Sequence, residues 1–254
     1  FTLARDNCLI IARQVFRRHG QVSIQDHQDI ADFDTLMVRY RERLVKAVQE
    51  GLEHQNLMMY NRTLYDNHPL VSCFVDDCLA RGLALDNGGA RYAYMTPSFV
   101  GMANLVDSLI AIRRLVFQER QVTLAEFAKV LENNYVGDEP LRAYIMNRLP
   151  RYGNDNAEAD SLAQEITAFL PEIVRPLRTY NGEPLAPSMF CWIMHEHLGR
   201  DTGATPDGRL AGFPLAALHD ALKDPDPGAL KTASNPPAGN PSLTSSSKPA
   251  SALK

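Results

Sequence analysis

The sequence has 254 residues, enough for one large domain or two small ones. Hydrophobic residues make up 45% and charged residues 22%, an ordinary globular composition, and a net charge of −4 does not indicate a nucleic-acid-binding surface. No run of about eighteen apolar residues occurs, so no membrane-spanning helix is predicted. The 4 cysteines show no CxxC spacing, which favours free thiols in a reducing cytoplasm over a disulfide framework.

The N-terminal stretch does not predict a secretory signal. Its apolar patch, Cys8 to Ile11, is too short for the core of such a signal, and basic residues follow it directly. The first residue is Phe rather than Met, which predicts a sequence that begins inside a longer protein.

Helical periodicity dominates most of the chain. Over residues 32–55, apolar side chains recur at helical spacing between charged ones, and Asp32 or Asp34 can cap the N-terminus. Further helices are predicted at 69–82, 98–118, 123–134, 138–148 and 157–180.

Two of these helices carry clear signals at particular positions. Thr123 and Glu126 have the spacing of a capping box at the start of the helix that follows them. Pro171 and Pro176 should kink or divide the last predicted helix, because proline has no amide hydrogen to donate.

Residues 188–198, SMFCWIMHEHL, predict a strand that is buried on both faces. Phe190, Trp192 and Met194 recur at period two within a nearly continuous apolar run. The loop 202–216, TGATPDGRLAGFPLA, follows directly, and its glycines and prolines indicate a fixed backbone path. The predicted fold class is therefore α/β and helix-dominated.

The C-terminal residues 224–254 differ in character from the rest. They are rich in Pro, Ser, Ala and Gly and contain few large apolar side chains, so they cannot bury a core. We predict a disordered tail there.

Four stretches of the sequence, taken in order, carry a family resemblance. They are DDCLARG…GGARY (76–92), VGMANLVDSLIAIRRLVF (100–117), LPRYGNDNAEAD (149–160) and TGATPDGRLAGFPLA (202–216). Together they resemble the glycyl radical enzymes, the family of pyruvate formate-lyase and the B12-independent diol dehydratases. The resemblance covers residues 32–216 and leaves 1–31 poorly matched. It implies that 32–216 form part of a ten-stranded β/α barrel, in which the last of the four stretches leaves one strand.

The resemblance also implies two catalytic elements that this sequence does not contain. The family carries a cysteine loop, usually a Cys followed by Val or another Cys, and a glycyl-radical loop of the type Arg-Val-x-Gly-Tyr/Phe. Here Cys8, Cys73, Cys78 and Cys191 are followed by Leu, Phe, Leu and Trp, and the glycyl motif does not occur. No catalytic residue is therefore assigned in this chain.

The family activity follows from the resemblance alone. The complete enzyme would be a cytoplasmic transferase or lyase of anaerobic metabolism, cleaving C–C or C–O bonds after a thiyl radical abstracts hydrogen. A formate C-acetyltransferase-like reaction is the first expectation and a dehydratase reaction the second. A radical-SAM activating enzyme would install the glycyl radical. That enzyme, a homodimer partner and a small-molecule substrate would be the partners, with no nucleic acid and no membrane.

This chain alone would be inactive and would bind no cofactor. By resemblance, Phe190 and Trp192 line the substrate cavity, although the same two residues could equally be plain core residues. The alternative function is a non-catalytic helical binding or assembly module derived from the barrel.

Two clusters of polar residues could suggest other sites. His195 and His197 share a face of the predicted strand, as in some metal sites, but no third ligand cluster is apparent, so no metal is predicted. Asp76 and Asp77 could suggest paired acid–base carboxylates. Because they are adjacent on a predicted helix, they should point apart.

Overall fold

The protein is described by a computed structural model over residues 30–65, 68–189 and 194–216. Its helices are α1 (Phe33–Tyr65), α2 (Pro69–Ser72), α3 (Cys78–Arg81), α4 (Met102–Ile112), α5 (Leu124–Glu132), α6 (Glu139–Arg148), α7 (Ala157–Val174) and α8 (Met194–Arg200), with a 3₁₀ turn at Leu85–Asn87 and a π-helical turn at Arg113–Gln118. No helix in these ranges combines the length with the apolar character that crossing a bilayer requires.

Helix α4 lies at the centre of the fold. Every residue from Asn104 to Ile112 is buried, so this helix is covered on all sides, as an apolar run around the whole helix predicts. Apolar side chains of α1, α5 and α7 complete the same core, among them Leu44, Phe127 and Ile166. Because α4 is covered all round, any polar side chain that it carries must find its partners inside the protein.

Helix α1 is longer than predicted. It begins one residue after the predicted start but continues to Tyr65, since residues 56–65 contain no glycine or proline to end it. Leu36, Tyr40 and Val48 face the core, whereas no residue of α1 after Leu52 is buried. The last turns of the helix are therefore less buried than its start, although Asn56 and Tyr60 still contact Tyr180.

The ends of α5 and α7 are fixed by side chains. Thr123 and Glu126 form the predicted capping box at α5, with both reciprocal hydrogen bonds present. Asn156 caps α7 by accepting from the amides of Glu158 and Ala159. Helix α7 runs through Pro171, so this proline does not divide it. The helix ends at Val174, two residues before Pro176 and six residues before the predicted end.

Replacing Thr123 with Ala is expected to lower the free energy of unfolding by about 1 kcal/mol, because the Glu126 amide then loses its acceptor. Urea denaturation followed by circular dichroism measures the loss. Thr123→Ser keeps the hydroxyl and should restore most of the stability. Equal losses in the two variants would contradict a capping role.

The segment predicted as one helix over 69–82 is instead two short helices. Asp77 adopts a left-handed backbone conformation, with φ of 74°, and separates α2 from α3. Asp76 and Asp77 do not point apart as predicted. Both lie near Arg91, with shortest oxygen–nitrogen distances of 3.7 Å and 2.7 Å. The hydrogen bond to Arg91 lowers the pKa of Asp77.

Two extended segments pair in parallel next to α4. Backbone bridges join Met95 to Leu185 and Ser98 to Ser188, and the amide of Phe99 donates to the carbonyl of Ser188 at 2.7 Å. Parallel neighbours connected through helices are the unit from which β/α barrels are built.

The predicted strand at 188–198 is wrong in its second half. Ser188 belongs to the parallel pair, but Met194–Arg200 form helix α8, and residues 190–193 lie outside the described part of the chain. A short apolar run bounded by Pro and Gly fits a buried helix as well as a buried strand, so periodicity alone could not decide.

Candidate functional site

The site residues predicted from the sequence are not brought together by the described structure. Phe190 and Trp192 lie outside the described residues. His195 and His197 lie on helix α8 rather than on a strand. Within the described ranges, no group of three or more potential metal ligands occurs.

A surface cleft of about 270 Å³ is the first feature that could hold a small molecule. It is lined by Met59, Arg62, Leu85, Asp86, Tyr92, Ala93, Tyr94 and Glu183. Within it, Asp86 lies 3.5 Å from Arg62, and outside it the Nδ1 of His68 lies 2.8 Å from the same carboxylate. The cleft contains none of the side chains that the sequence nominated.

The structure instead shows a polar cluster with a buried centre, which we call the buried polar cluster. It consists of the buried Asn104, Asp107, Thr205, Asp207 and Arg209, the half-buried Arg151 and the backbone amide of Tyr152. Its members come from helix α4, from the loop after α6 and from the loop 202–216. Three of the four stretches that carry the family resemblance therefore meet at one place. Sequence reasoning did not single out these side chains.

Arg209 organises the loop 202–216 from within. It is 8% exposed, and its guanidinium donates to the carbonyls of Phe213 at 2.6 Å, Leu210 at 3.1 Å and Gly203. A planar group with five donors can hold several carbonyls at once. The loop is therefore wrapped around its own buried arginine.

Asp207 anchors the same loop to helix α4. One carboxylate oxygen accepts from the hydroxyl of Thr205 and from the amide of Arg209. The other accepts from the Nδ2 of Asn104 at 2.5 Å. Asn104 in turn accepts from the amide of Ala216 at 2.6 Å, so one side chain of α4 contacts both the turn and the end of the loop.

Two arginines outside the loop 202–216 bind the backbone of its turn at Asp207 and Gly208. Arg151 donates to the carbonyl of Asp207 at 2.6 Å, and Arg142 donates to the carbonyl of Gly208 at 2.7 Å. The Oδ2 of Asp107 lies 3.9 Å from Arg151.

The turn after α5 is strained and packs against the same loop. Asn134 and Tyr135 have φ values of 53° and 59°, a conformation that bulky side chains rarely adopt. Asn134 accepts from the amide of Ala211, and the hydroxyl of Tyr135 donates to the carbonyl of Thr205, both at 2.8 Å. Burial raises the pKa of Tyr135, so it donates as a neutral phenol. Such strain persists only where neighbouring contacts fix it.

Helix α8 also packs against the loop 202–216. The amide of Leu215 donates to the carbonyl of His195 at 3.1 Å, and the hydroxyl of Thr202 donates to the carbonyl of Leu198 at 2.6 Å. Gly199 faces the loop at very short range, since an added Cβ would lie 2.7 Å from the Cα of Pro214. Helix α8 thus holds both ends of the loop, whereas residues 211–214 between them are exposed.

The side chains of the cluster hold the backbone in position. Its carboxylates and guanidinium groups are directed at the backbone and at each other, and no Cys is among them. A network of this kind fixes a unique backbone path at a buried place. The sequence signal that could have found it is the presence of Asn104 and Asp107 in an otherwise apolar helix, because polar residues are buried only with partners.

Most of this chain matches one family of known proteins. The pyruvate formate lyase-like family matches residues 10–199. The trans-4-hydroxy-L-proline dehydratase of Clostridioides difficile is 30% identical over 200 residues, which are 77% of this chain and 25% of that protein. This chain thus spans about a quarter of the length of that relative.

Solved structures agree on the fold. The B12-independent glycerol dehydratase of Clostridium butyricum, with glycerol bound, superposes with a TM-score of 0.75 at 32% identity, over 85% of this chain and 28% of that one. A glycyl radical enzyme of Archaeoglobus fulgidus superposes with a TM-score of 0.72 at 25% identity, over 85% of this chain and 28% of that one. The chain belongs to the pyruvate formate lyase-like family of glycyl radical enzymes, and its described residues form part of that family's barrel.

Proposed function

We propose that this chain is part of a glycyl radical dehydratase that removes water from a small hydroxylated substrate. The observation that carries the proposal is the match to two dehydratases, one in sequence and one in structure, over most of this chain. A dehydratase reaction replaces the formate C-acetyltransferase-like reaction as the first expectation, because both of those relatives act by dehydration according to their names.

The radical chemistry would be supplied by a cysteine loop and a glycyl loop, neither of which has its motif in this sequence. The residues of this chain would contribute structure. The parallel segments at 95–99 and 184–188 would be two adjacent strands of the barrel. The loop 202–216, held by the buried polar cluster, would fix the wall at one end and help to exclude water from a reactive intermediate.

The further partners are part of the same proposal. A complete protein containing residues 32–216 would require a radical-SAM activating enzyme and would act as a homodimer in the cytoplasm. Phe190 and Trp192 would line its substrate cavity. This chain alone would bind no cofactor and would be inactive, since no residue in it has the sequence context of the radical glycine or of the cysteine that relays the radical.

Electron paramagnetic resonance tests the inactivity of the chain alone. The purified 254-residue chain is treated without oxygen with a radical-SAM activating enzyme and S-adenosylmethionine, and is then offered trans-4-hydroxy-L-proline or glycerol. We expect no glycyl doublet and no loss of substrate. The C. difficile dehydratase with its own activating enzyme is the positive control, and a doublet or turnover in this chain would overturn the proposal.

The non-catalytic assembly module is the second candidate, favoured by one observation. Large apolar side chains are exposed on the end of α1 and beyond it, including Leu64, Tyr65, Leu70 and Phe74, at 53% to 85%. Exposed apolar surfaces of this kind mark contacts with other protein. The neighbouring DNA discriminates the two candidates, because reading frames that encode the cysteine and glycyl loops support an enzyme, whereas separate start and stop signals around this chain support a module.

A further inference from the structure

Of the two acidic side chains in the buried polar cluster, Asp107 accepts fewer hydrogen bonds than Asp207. It lies in the middle of helix α4 and is 9% exposed. Its Oδ1 accepts from the amide of Tyr152 at 2.8 Å. That single hydrogen bond ties the loop after α6 to the central helix.

The cation nearest to Asp107 is poorly placed to neutralise it. The Nη1 of Arg151 lies 3.9 Å from its Oδ2, beyond the 2.7–2.9 Å typical of a charge-assisted hydrogen bond. The Nη2 of the same arginine is already bonded to the carbonyl of Asp207. The same Nη2 contacts the Sδ of Met146 at 3.2 Å, and the buried Nε of Arg151 has no partner among the described residues. The hydrogen bonds that this arginine makes there therefore go to groups other than the carboxylate of Asp107.

The second carboxyl group of the cluster has a different environment. Asp207, 4% exposed, accepts from a hydroxyl, a backbone amide and an amide side chain. Of the two buried carboxyl groups, only that of Asp207 has a full set of donors, because Arg151 binds the backbone carbonyl of Asp207 and not its carboxylate. Arg151 and Asp207 are the charged groups that face Asp107 from the two loops packed against α4.

The geometry assigns to Asp107 the role of a positioning residue that acts as a neutral carboxylic acid. It holds the loop after α6 on helix α4 directly, and through Arg151 it also holds the loop 202–216 there. A neutral acid needs no counter-ion, and its Oδ1 still accepts from the amide of Tyr152. Loss of the proton places a charge in the core that Arg151 and the amide of Tyr152 compensate only in part, and Asp207 repels that charge. The contact between the two loops and α4 is therefore proton-dependent. The inference rests on this chain's own contacts and is independent of the proposed dehydratase activity.

Burial agrees with this assignment, because it raises the pKa of Asp107 from 3.8 to about 7, against the opposing effects of the Tyr152 amide and Arg151. A raised pKa means that the folded state binds this proton more tightly than the unfolded state. The resulting stability is full below the unfolded pKa near 4 and is lost as the pH rises through about 7.

The test compares the 254-residue chain with its Asp107→Asn variant between pH 4 and pH 8. Asn is isosteric, is always neutral and can still accept from the amide of Tyr152. The ratio of the unfolding constants of the original chain and the variant should rise by about a hundred- to a thousand-fold across this range. Carboxyl ¹³C resonances provide the direct readout. The Asp107 signal should titrate near pH 7, with the Tyr152 amide following at the same midpoint.

Asp34→Asn is the matched control, because Asp34 is an exposed aspartate in the first turn of α1. It should change the pH dependence of stability little. A ¹³C midpoint for Asp107 below pH 5 would overturn the inference. A constant difference in stability between Asp107→Asn and the original chain at every pH would overturn it as well.

Discussion

Replacing Asp207 with Ala is expected to lower the free energy of unfolding by about 3–5 kcal/mol. The substitution leaves three donors without their acceptor at a place that water does not reach, namely the Thr205 hydroxyl, the Arg209 amide and the Asn104 side-chain amide. Each unpaired buried donor costs about 1–3 kcal/mol. Urea denaturation monitored by circular dichroism and by tyrosine fluorescence measures the loss.

Asp201 provides the matched control for this measurement. It directly precedes the loop 202–216 and is exposed, so Asp201→Ala should change the stability by no more than about 0.5 kcal/mol. If the two alanine variants unfolded at the same urea concentration, Asp207 would not anchor the loop. Asp207→Asn keeps one oxygen and should fall between the original chain and Asp207→Ala.

Replacing Gly199 with Ala is expected to destabilise the protein by about 3 kcal/mol or more. Inside a helix this change ordinarily stabilises by about 1 kcal/mol, so the expected sign is reversed. The reason is the close approach of α8 to the loop 202–216. The new Cβ would meet the carbonyl oxygen of Phe213 and the Cα of Pro214, and these backbone atoms cannot rotate away.

Thermal unfolding and amide hydrogen exchange together measure this effect. The amide of Leu215, which donates to helix α8, should lose its protection first. Gly203→Ala is the control, because a Cβ at Gly203 meets nothing within 4 Å. A Gly199→Ala variant as stable as Gly203→Ala would show that the helix and the loop are less closely packed than described.

Local signals in the sequence predicted local structure well. The capping box at Thr123 and Glu126 is formed as expected, because all of its atoms belong to one turn of the chain. The family and its barrel were also recognisable, since the four motifs occur in a fixed order. The helix at 194–200 was not predicted, because a short apolar run has no periodicity that separates the two kinds of buried element.

The buried polar cluster was beyond sequence reasoning for a different reason. Asn104 and Asp207 are about a hundred residues apart, and no local pattern relates them. The motifs that contain them were recognised, but their meeting point depends on how α4, α6 and the loop 202–216 pack. An unusual residue type at a buried position is visible in one sequence, whereas its partner is visible only in three dimensions.

The parallel pairing beside α4 has a consequence for the order of folding. Met95 and Leu185 are about ninety residues apart. Their pairing therefore costs the entropy of closing a long loop before any stabilising hydrogen bond forms. The helices between them form through contacts that are short in sequence, and they bring the two segments together. We expect the pair to be absent from the transition state for folding, so that weakening it accelerates unfolding and leaves the folding rate nearly unchanged. The barrel wall would then be the last part of this chain to form and the first to open.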